Sequence, residues 1–359
     1  MSLHEFLALE GFVVEDLRFE GLSRVVQVRP EAAESPVCPY CGCGKMWRHG
    51  KRKRRVSHLH FEHAAMELEI EFERYRCPAC GRTHTPKLPH IERRARISDR
   101  LRESIARIVR TFSCAINAVA RWLRMSWGTA WRALAKLRPL TPQELGGARN
   151  LCIDEVFYRE PRRFLTVLSD AERSQVLGVV YGKGYNAAHS LLSSIPEELR
   201  KKVDTISTDF ASGHRKAAEE LLPDALVVAD RFHLERIARM RTRLTPKEMQ
   251  IYVRHAVNEL HDILDKGGNR AIAALTDWIL KCRCICKTRR LDQLNLLLRL
   301  IDRWRIEIEA YLTTGRSNGP AEALNRKIAL LRRNAYGYTN LDNFIKRIFL
   351  LNHTLHPQR

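Results

Sequence analysis

The spacing of apolar positions changes at Leu151, where short apolar segments begin to alternate with helical ones. A helical stretch at His214–Leu222 precedes the last of these segments. The five segments are Leu151–Tyr158, Phe164–Ser169, Gln175–Tyr181, Val203–Thr208 and Ala225–Ala229. Short apolar strands that are separated by helical stretches are typical of an α/β sheet, so we predict one here.

Downstream of the predicted sheet, apolar residues recur only at helical spacing. Leucine, isoleucine and alanine follow this period from Leu234 to Leu312, and a last helical region runs from Ala321 to the C-terminus. The pattern therefore predicts an all-helical region after the last strand.

A second group of helices is predicted before the sheet. Ser98-Asp99 can cap a helix over Arg100–Phe112, a second helix follows over Ala115–Leu123, and Ser126 can cap a third over Trp127–Leu137. This is the layout of a helix-turn-helix whose last helix enters the major groove, although an ordinary helical hairpin has the same pattern. The side chains expected on the outer, DNA-facing side of that helix are Trp127, Thr129, Arg132 and Lys136.

Composition and charge indicate a nucleic-acid partner. Of the 359 residues, 45% are hydrophobic and 29% are charged, which is a globular composition. Lys and Arg number 62 against 41 Asp and Glu, which gives a formal net charge of +21. Because nucleic acid is the commonest polyanion that such a chain can bind, we expect a DNA or RNA partner.

Membrane and secreted proteins are disfavoured. No apolar run approaches the roughly 20 residues that span a bilayer, and the first residues lack the pattern of a signal peptide. The ten cysteines then indicate metal binding in a reducing compartment rather than disulfides. We therefore expect a cytoplasmic protein without membrane contact.

Four cysteines form two nearly identical motifs, Cys38-Pro39-Tyr40-Cys41-Gly42 and Cys77-Pro78-Ala79-Cys80-Gly81. Each motif offers two thiolates to a tetrahedral zinc ion, and the glycine after it permits a tight backbone turn. Together they predict a closed, structural Zn²⁺ site in a zinc ribbon, with Cys38, Cys41, Cys77 and Cys80 as ligands. Four reduced core cysteines are the alternative.

Other cysteines are less informative. Cys43 is a candidate substitute ligand for the predicted zinc, since it follows the first motif closely. Cys282, Cys284 and Cys286 lie in a helical region and are interpreted as core or incidental residues, with a second metal site as the alternative.

The chain between the two motifs combines a basic run with a predicted strand. Met66–Phe72 alternates strictly between apolar and acidic residues, which predicts a strand. The basic run could be a solvated face, but beside a zinc ribbon we expect it to contact DNA phosphates, above all through Arg52, Arg54 and Arg55. Its members are Lys45, Arg48, Lys51, Arg52, Lys53, Arg54 and Arg55.

Acidic residues occur in or directly after three predicted strands. Asp154-Glu155 lies in the first strand, Asp209 follows the fourth, and Asp230 follows the fifth with His233 three residues later. Buried carboxylates are costly unless they are paired or bind a cation, and clustered Asp and Glu oxygens suit Mg²⁺. The alternative is that each Asp caps the next helix.

A fourth acid lies near the start of a predicted helix. Ser317 or Asn318 can cap that helix, with Pro320 in its first turn. Ala321, Leu324, Ile328 and Leu331 form its predicted buried stripe, and the residues expected to lie off the stripe are Glu322, Asn325, Arg326 and Arg333. A solvated helix side would explain the same pattern.

These motifs together resemble the ISL-three family of bacterial insertion-sequence transposases, over about residues 36–352. The resemblance rests on the two cysteine motifs, the helix-turn-helix, Ile153-Asp154-Glu155, Asp230-Arg231-Phe232-His233, Ser317–Glu322 and Arg332–Tyr338, which occur in family order. One departure is Ala321-Glu322-Ala323, where the family often has Glu followed by Gly; the acid itself is retained.

The resemblance implies the fold class and its divisions. It implies an α/β protein with an RNase H-like catalytic core and an all-helical insertion, preceded by a zinc ribbon and a helix-turn-helix. Arg138–Pro142, before Gly146-Gly147, is a predicted linker. The expected domains are residues 1–92 (zinc ribbon), 93–140 (helix-turn-helix), 148–234 (first part of the core), 235–314 (insertion) and 315–359 (the helices that carry the Glu).

The resemblance also implies a DDE triad of metal-binding acids. In an RNase H-like sheet the first strand lies beside the fourth, with the fifth one strand further out, so we assign Asp154, Asp209 and Glu322 as the triad. Asp230 is the alternative second acid, and otherwise it and His233 are supporting residues. Two Mg²⁺ or Mn²⁺ ions would assist phosphoryl transfer, with Asp154 bridging both ions and Asp209 and Glu322 each holding one.

The expected function is therefore DNA transposition in a bacterial cytoplasm, close to the nucleoid. The zinc ribbon and helix-turn-helix would bind double-stranded DNA at terminal inverted repeats, while Arg326, Arg332 and Arg333 would hold the backbone near the scissile phosphate. Because two ends must be brought together, we expect a homo-oligomer. The alternatives are a DNA-binding regulator with an inactive RNase H-like domain, and a nuclease that hydrolyses DNA without joining it.

Overall fold

The computed structural model describes residues 9–31, 37–61, 64–135, 147–159, 163–335, 338 and 340–351. These residues fall into two compact units, which divide between residues 135 and 147. Lys136 and the predicted linker lie in that interval and therefore outside the described residues.

The N-terminal unit contains a five-stranded sheet, with strands in the order β1-β2-β4-β3 and β5 paired to β4. The strands are β1 (Phe12–Glu20), β2 (Ser23–Pro30), β3 (Trp47–Phe61), β4 (Ala64–Arg76) and β5 (Thr83–His84). The first two strands were not predicted. β4 contains the predicted alternation: its Met66, Leu68 and Ile70 are buried in the core of the unit.

Three helices follow this sheet: α1 (Asp99–Phe112), α2 (Ile116–Trp122) and α3 (Trp127–Ala135). The two predicted caps are present, since Ser98 Oγ accepts from Leu101 N at 3.1 Å and Ser126 Oγ accepts from Thr129 N at 3.2 Å. These bonds satisfy amides that the first helical turn leaves without partners. They fix the starts of α1 and α3 close to the positions that the sequence predicts.

The second unit is built on a five-stranded mixed sheet with strands in the order β10-β9-β6-β7-β8. The strands are β6 (Asn150–Arg159), β7 (Arg163–Asp170), β8 (Gln175–Tyr181), β9 (Thr205–Thr208) and β10 (Leu226–Ala229). β6, β7 and β8 are antiparallel neighbours, whereas β6, β9 and β10 are parallel. All five predicted strands are therefore present, with ends that differ by a residue or two.

Helices cover both faces of this sheet. On one face, Leu151 and Ile153 of β6 pack in a cluster with α4 (Gly184–Ser193) and α6 (Ser212–Leu221). The short helix α5 (Glu197–Arg200) lies between these two helices in the chain. On the other face, Val156 and Tyr158 pack with α12 (Gly319–Asn334) and α13 (Leu341–Leu350). Odd and even residues of β6 thus face different helices, as the two-residue period of a strand requires.

The described chain between β10 and α12 is helical, as predicted. It contains α7 (Arg231–Leu244), a 3₁₀ turn (Lys247–Met249), α8 (Gln250–Lys266), α9 (Gly268–Arg289), α10 (Asp292–Arg303) and α11 (Arg305–Thr314). Trp278 and Trp304 lie in its apolar core together with Cys282 and Cys286, whereas Cys284 is exposed. Among the described helices of the whole chain, none is long and apolar enough to cross a membrane.

Truncation of Trp278 should destabilise this unit. The side chain is 3% exposed, and its Nε1 donates to Ala256 O at 2.9 Å. We expect Trp278→Ala to lower the free energy of unfolding by about 3–5 kcal/mol, because it leaves a large cavity in a close-packed core. Leu280→Ala, on the same helix but 56% exposed, should change it by less than about 0.5 kcal/mol. Urea unfolding of the two variants makes the comparison, and equal losses would contradict the described packing of α9.

Candidate catalytic site and metal centre

Three aspartates lie level with one another in the second unit. Thr208 of β9 pairs with Ile153 of β6 on one side and with Ala229 of β10 on the other. Asp154, Asp209 and Asp230 are the residues that directly follow these three positions. Since neighbouring strands lie about 4.8 Å apart, the backbone of Asp209 is one strand away from Asp154 and that of Asp230 is two.

The carboxylate of Asp154 is held by two amides from the start of α12. Its Oδ2 accepts from Asn325 Nδ2 at 2.7 Å and from Asn318 Nδ2 at 3.4 Å, while Oδ1 accepts from Glu155 N at 2.7 Å. Burial raises the pKa of Asp154 to about 7, and the negative charges of Asp209 and Asp230 add to that rise. The side chain is therefore oriented by hydrogen bonds but lies in surroundings that disfavour its charge.

Asp230 belongs to the same group of acids and is the N-cap residue of α7. The side chain is 2% exposed and its Oδ1 accepts from Phe232 N at 3.1 Å, so it caps the helix as well. Burial raises the pKa of Asp230 to about 6, with repulsion by Glu322 and Asp209 as further causes. Glu322 lies in the first turn of α12, and its charge contributes to this rise. The alternative prediction, that this aspartate caps the next helix, is therefore correct for Asp230.

Asp209 differs from the other aspartates because a buried histidine pairs with it. His214 Nδ1 lies 3.2 Å from Asp209 Oδ1, and His214 Nε2 lies 3.3 Å from Glu155 Oε1. Although burial opposes it, pairing with the carboxylates of Asp209 and Glu155 raises the pKa of His214 to about 9. The same contact keeps the pKa of Asp209 below its ordinary value despite burial, so Asp209 is ionised at neutral pH.

Asp154 and Glu155 point to opposite faces of the sheet, although the sequence presents them as a pair. Asp154 contacts α12, whereas Glu155 Oε1 accepts from Gly184 N at 2.9 Å at the start of α4. His233, at the start of α7, lies where the charges of Asp209 and Glu322 act on it, but burial and Arg236 lower the pKa of its ring. His233 is thus part of the cluster as a largely neutral group.

The donor set suits a hard divalent cation. Besides the carboxylates, Asn318 Oδ1 and Asn325 Oδ1 are buried without a hydrogen-bond partner, so neutral oxygens border Asp154 as well. Mg²⁺ and Mn²⁺ take carboxylate and amide oxygens of this kind. In the described part of the chain, however, no three of these carboxylate oxygens lie within 4.8 Å of one another. The structure brings the acids into one site without closing them into a coordination shell.

The four predicted zinc ligands do form a closed cluster. The sulfur atoms of Cys38, Cys41, Cys77 and Cys80 all lie within 4.8 Å of one another, and two of the separations are 3.7 and 3.6 Å. Tetrahedral Zn²⁺ with bonds of about 2.3 Å requires sulfur atoms about 3.8 Å apart, so the cluster fits zinc. The backbone amide of Cys80 and other hydrogen bonds lower the pKa of the Cys77 thiol to about 6, which favours the thiolate that binds metal.

The two halves of the cluster repeat the same backbone turn. Gly42 N donates to Cys38 O at 3.0 Å and Gly81 N donates to Cys77 O at 2.9 Å, with positive φ angles of 74° and 71° at the two glycines. Only glycine adopts such angles without a steric penalty. Cys43 lies outside the cluster, and its Sγ contacts Lys45 O at 3.5 Å.

Comparison with known proteins follows the same division of the chain. A model of ISL3 DDE enzymes, described as transposase, matches residues 151–250 and 240–348, which is more than half of the chain. The helix-turn-helix domain of transposase family ISL3 matches residues 86–137. The zinc finger of transposases IS204, IS1001, IS1096 and IS1165 matches residues 34–80.

The chain belongs to the ISL3 family of transposases. It is 22% identical to the transposase for insertion sequence element IS1557 of Mycobacterium tuberculosis, over 91% of this chain and 89% of that protein. It is also 24% identical to the transposase for IS1001 of Bordetella parapertussis, over 63% of this chain and 56% of that protein. The protein is therefore a DNA-binding DDE transposase with a zinc ribbon and a helix-turn-helix.

The residues of the transposase that were predicted to contact DNA differ in their exposure and in their ion-pair and hydrogen-bond partners. In the ribbon, Arg55 pairs with Glu20 at 3.0 Å and Glu69 at 3.3 Å, and the guanidinium of Arg54 donates to Ala95 O. Arg52 is exposed. Glutamates of β4 thus neutralise much of the basic run. The spacing of residues does not predict this pairing, because it depends on the register between β3 and β4.

Other predicted contacts lie on helices. In α3, Trp127 stacks on Trp131 at 5.7 Å, and Arg132 is exposed. In α12, Arg326 pairs with Glu322 at 3.5 Å, and Arg333 is exposed. Arg332 is half-buried and donates to Phe157 O at 3.0 Å, so its guanidinium is already engaged at the far end of β6.

Four polar residues of the transposase site were missed as functional residues. Asn318 was one of two predicted helix caps, with Ser317 as the other, but its side chain makes no capping bond and instead donates to Asp154. Asn325 was predicted to lie off the buried stripe. Its three-residue spacing from Glu322, which puts both residues on the same side of the helix, is the sequence signal that could have marked it as a site residue. Glu155 is predicted only as a neighbour of Asp154, and His214 only as the first residue of a helical stretch. The two residues are far apart in the sequence, so no local pattern predicts that their side chains meet.

Zinc should be bound by the four clustered cysteines only. We expect one Zn²⁺ per transposase chain by metal analysis. We expect Cys77→Ser to lose that ion and the cooperative unfolding of the N-terminal unit, because the metal ties the turn before β3 to the turn after β4. Cys43→Ser, which removes a thiol outside the cluster, should keep both. Zinc retained in Cys77→Ser at the wild-type level would exclude this site.

The burial of Asp154, together with repulsion by the neighbouring acids, should make stability depend on pH. Asp154 has a pKa of about 7 in the fold and about 3.9 when unfolded. A raised acid pKa favours folding at low pH, and that stability is lost as the pH rises from about 4 through 7. Without added Mg²⁺ or Mn²⁺, the free energy of unfolding should therefore fall by on the order of 2–4 kcal/mol more in wild type than in Asp154→Asn between pH 4 and pH 8. Urea unfolding at the two pH values measures this, and identical pH dependence would contradict the described burial of Asp154.

Proposed function

We propose that this transposase binds the terminal inverted repeats of an insertion sequence, cleaves a DNA strand there and joins the freed end to target DNA, in a reaction that requires Mg²⁺ or Mn²⁺. The observation that carries the proposal is the level arrangement of Asp154, Asp209 and Asp230 on three parallel strands, with the charge of Glu322 on α12 acting on Asp230. Such a site is suited to hold cations against a sugar–phosphate backbone.

We infer further that the sheet and its helices are an RNase H-like core. The order β8-β7-β6-β9-β10, with two antiparallel pairings on one side of β6 and two parallel pairings on the other, supports this interpretation. The helical region between β10 and α12 would then be an insertion that separates the second acid from Glu322. The core would then comprise residues 148–234 and 315–359, and the insertion residues 235–314. The zinc ribbon (1–92) and the helix-turn-helix (93–140) would precede them.

Asp154, Asp209 and Glu322 are the proposed catalytic triad. Asp209 is supported over Asp230 by three features: it lies on the strand next to Asp154, its side chain is 20% exposed, and its lowered pKa keeps it ionised. Asp230 lies one strand further away, is almost fully buried and has a raised pKa. We assign Asp230 and His233 a supporting role at the start of α7.

The remaining chemistry follows from these residues. Asn325 and Asn318 hold the carboxylate of Asp154, while His214 holds Asp209 and Glu155. The scissile phosphate would be polarised, and the attacking water or 3′-hydroxyl activated, by Mg²⁺ or Mn²⁺, which is the chemistry that such ions supply. The joining step needs no external energy source, because the 3′-hydroxyl displaces a target-strand hydroxyl and one phosphodiester replaces another.

The acids can be tested with a labelled duplex that carries an element end, supplied with Mn²⁺ and a target duplex. We expect Asp154→Asn, Asp209→Asn and Glu322→Gln each to lower the rate of strand cleavage by about 10³-fold or more, since each removes an ion-holding charge. Asp230→Asn should lower it less. Asp224→Asn, an exposed acid at the opposite end of β10, is the matched control and should cleave like wild type.

Three outcomes would change the proposal. Loss of cleavage in Asp230→Asn with full cleavage in Asp209→Asn would replace the second acid. Nicked products without any joined species would indicate a hydrolytic nuclease. Wild-type binding to the element end without cleavage in Mg²⁺ or Mn²⁺ would favour a DNA-binding regulator. Formation of a complex that holds two ends, measured by light scattering, would test the expected homo-oligomer.

A further inference from the structure

A cavity in the N-terminal unit is lined by five arginines. It has a volume of about 410 Å³ and lies between the chain segment at residues 93–97 and helices α1 and α3. The arginines are Arg93, Arg94, Arg96, Arg102 and Arg132. We call it the arginine cavity. Of the residues that line it, only Thr129 and Arg132 of α3 are predicted from the sequence to face DNA.

Most of this positive charge has no counter-charge. Arg102 pairs with Glu92 at 2.9 Å and with Asp99 at 2.8 Å. In the described part of the chain, the other four arginines of the cavity form no ion pair, and each is exposed. None of the described residues that line the cavity is acidic. Four unpaired guanidinium groups around one concave site strongly favour an anion there.

The segment that carries three of these arginines is fixed to the sheet of the same unit. Ser57 N donates to Arg96 O and Ser98 N donates to Ser57 O, both at 3.0 Å. The guanidinium of Arg54 donates to Ala95 O. Ser98, at the end of the segment, hydrogen-bonds His58 at 2.7 Å and caps α1. The arginines therefore project from a backbone that is already ordered, which lowers the entropic cost of binding a ligand.

This arrangement contrasts with the basic run of β3. There, glutamates of β4 pair with Lys51 at 2.8 Å, Arg48 at 3.0 Å and Arg55 at 3.3 Å. Most exposed cations of β3 thus have ion-pair partners on the protein, with Arg52 as the exception, whereas the four exposed arginines of the arginine cavity have none among the described residues. Arg54, part of that run, holds the cavity segment in place.

The position of the cavity identifies the anion. Thr129 and Arg132 lie on α3, the last helix of the helix-turn-helix, so DNA that contacts α3 passes beside the cavity. Guanidinium groups bind phosphate oxygens with paired N–H donors. We propose that the arginine cavity binds a backbone phosphate of the DNA that α3 contacts, and that it fixes the position of α3 on the duplex. The proposal rests on the proposed function only in that the helix-turn-helix contacts the element end.

The full-length protein can be tested by fluorescence anisotropy with a duplex that carries the element end and with a random duplex of equal length, at several salt concentrations. We expect Arg94→Gln/Arg96→Gln to weaken binding of both duplexes by about 10- to 100-fold, because a phosphate contact carries no sequence information. The slope of log affinity against log salt should fall by about 1. The ratio of the two affinities should stay within about twofold of wild type.

The matched control is Arg18→Gln/Arg29→Gln, which removes two charges from exposed arginines that pair with Glu69 and Glu15. It should weaken binding by less than threefold. Arg94→Lys/Arg96→Lys should recover part of the affinity, since Lys keeps the charge but not the paired donors. Zinc content and thermal unfolding report whether each variant is folded.

A second measurement changes the DNA instead of the protein. Methylphosphonate substitution, one phosphate at a time, should reveal one position that weakens wild-type binding and has no further effect on Arg94→Gln/Arg96→Gln. If the cavity variant binds and responds to salt like the control, or if no substituted phosphate distinguishes it from wild type, the proposal is wrong. Strand cleavage by the wild-type protein tests the proposed function separately, so the two can fail independently.

Discussion

The second unit depends on holding several like charges close together in a largely buried site. Burial and mutual repulsion raise the pKa values of Asp154 and Asp230 to about 7 and about 6. Such repulsion would favour a structure in which the acids separate. The parallel register of β6, β9 and β10 prevents this, because it fixes the three aspartates at the same level.

Neutral and cationic partners make the arrangement tolerable. Two amides hold Asp154, the amide of Phe232 holds Asp230, and His214 balances Asp209 and Glu155 together. These partners come from both faces of the sheet, since α12 covers one face and α4 and α6 cover the other. The site is therefore a property of the complete layered fold and not of any single strand end.

The N-terminal unit distributes charge differently. On the sheet, basic residues of β3 and glutamates of β4 alternate outward and pair with one another, which leaves little net charge on that face. Between residues 93–97 and α3, by contrast, unpaired arginines surround a cavity. A basic sequence thus divides into cations that stabilise the sheet and cations that remain available to a polyanion.

The sequence by itself determined the local features of this transposase. Periodicity predicted the five strands of the second unit, the caps Ser98 and Ser126, and the buried stripe of α12, because burial and helix starts leave regular local patterns. The cysteine motifs likewise predicted their own cluster. Tertiary structure alone decided the rest: Asn325 meets Asp154 across 171 residues, Arg55 meets Glu20 across 35, and β1 and β2 join the ribbon sheet. Such contacts depend on strand register and on which helix covers which face, and neither is encoded in the spacing of nearby residues.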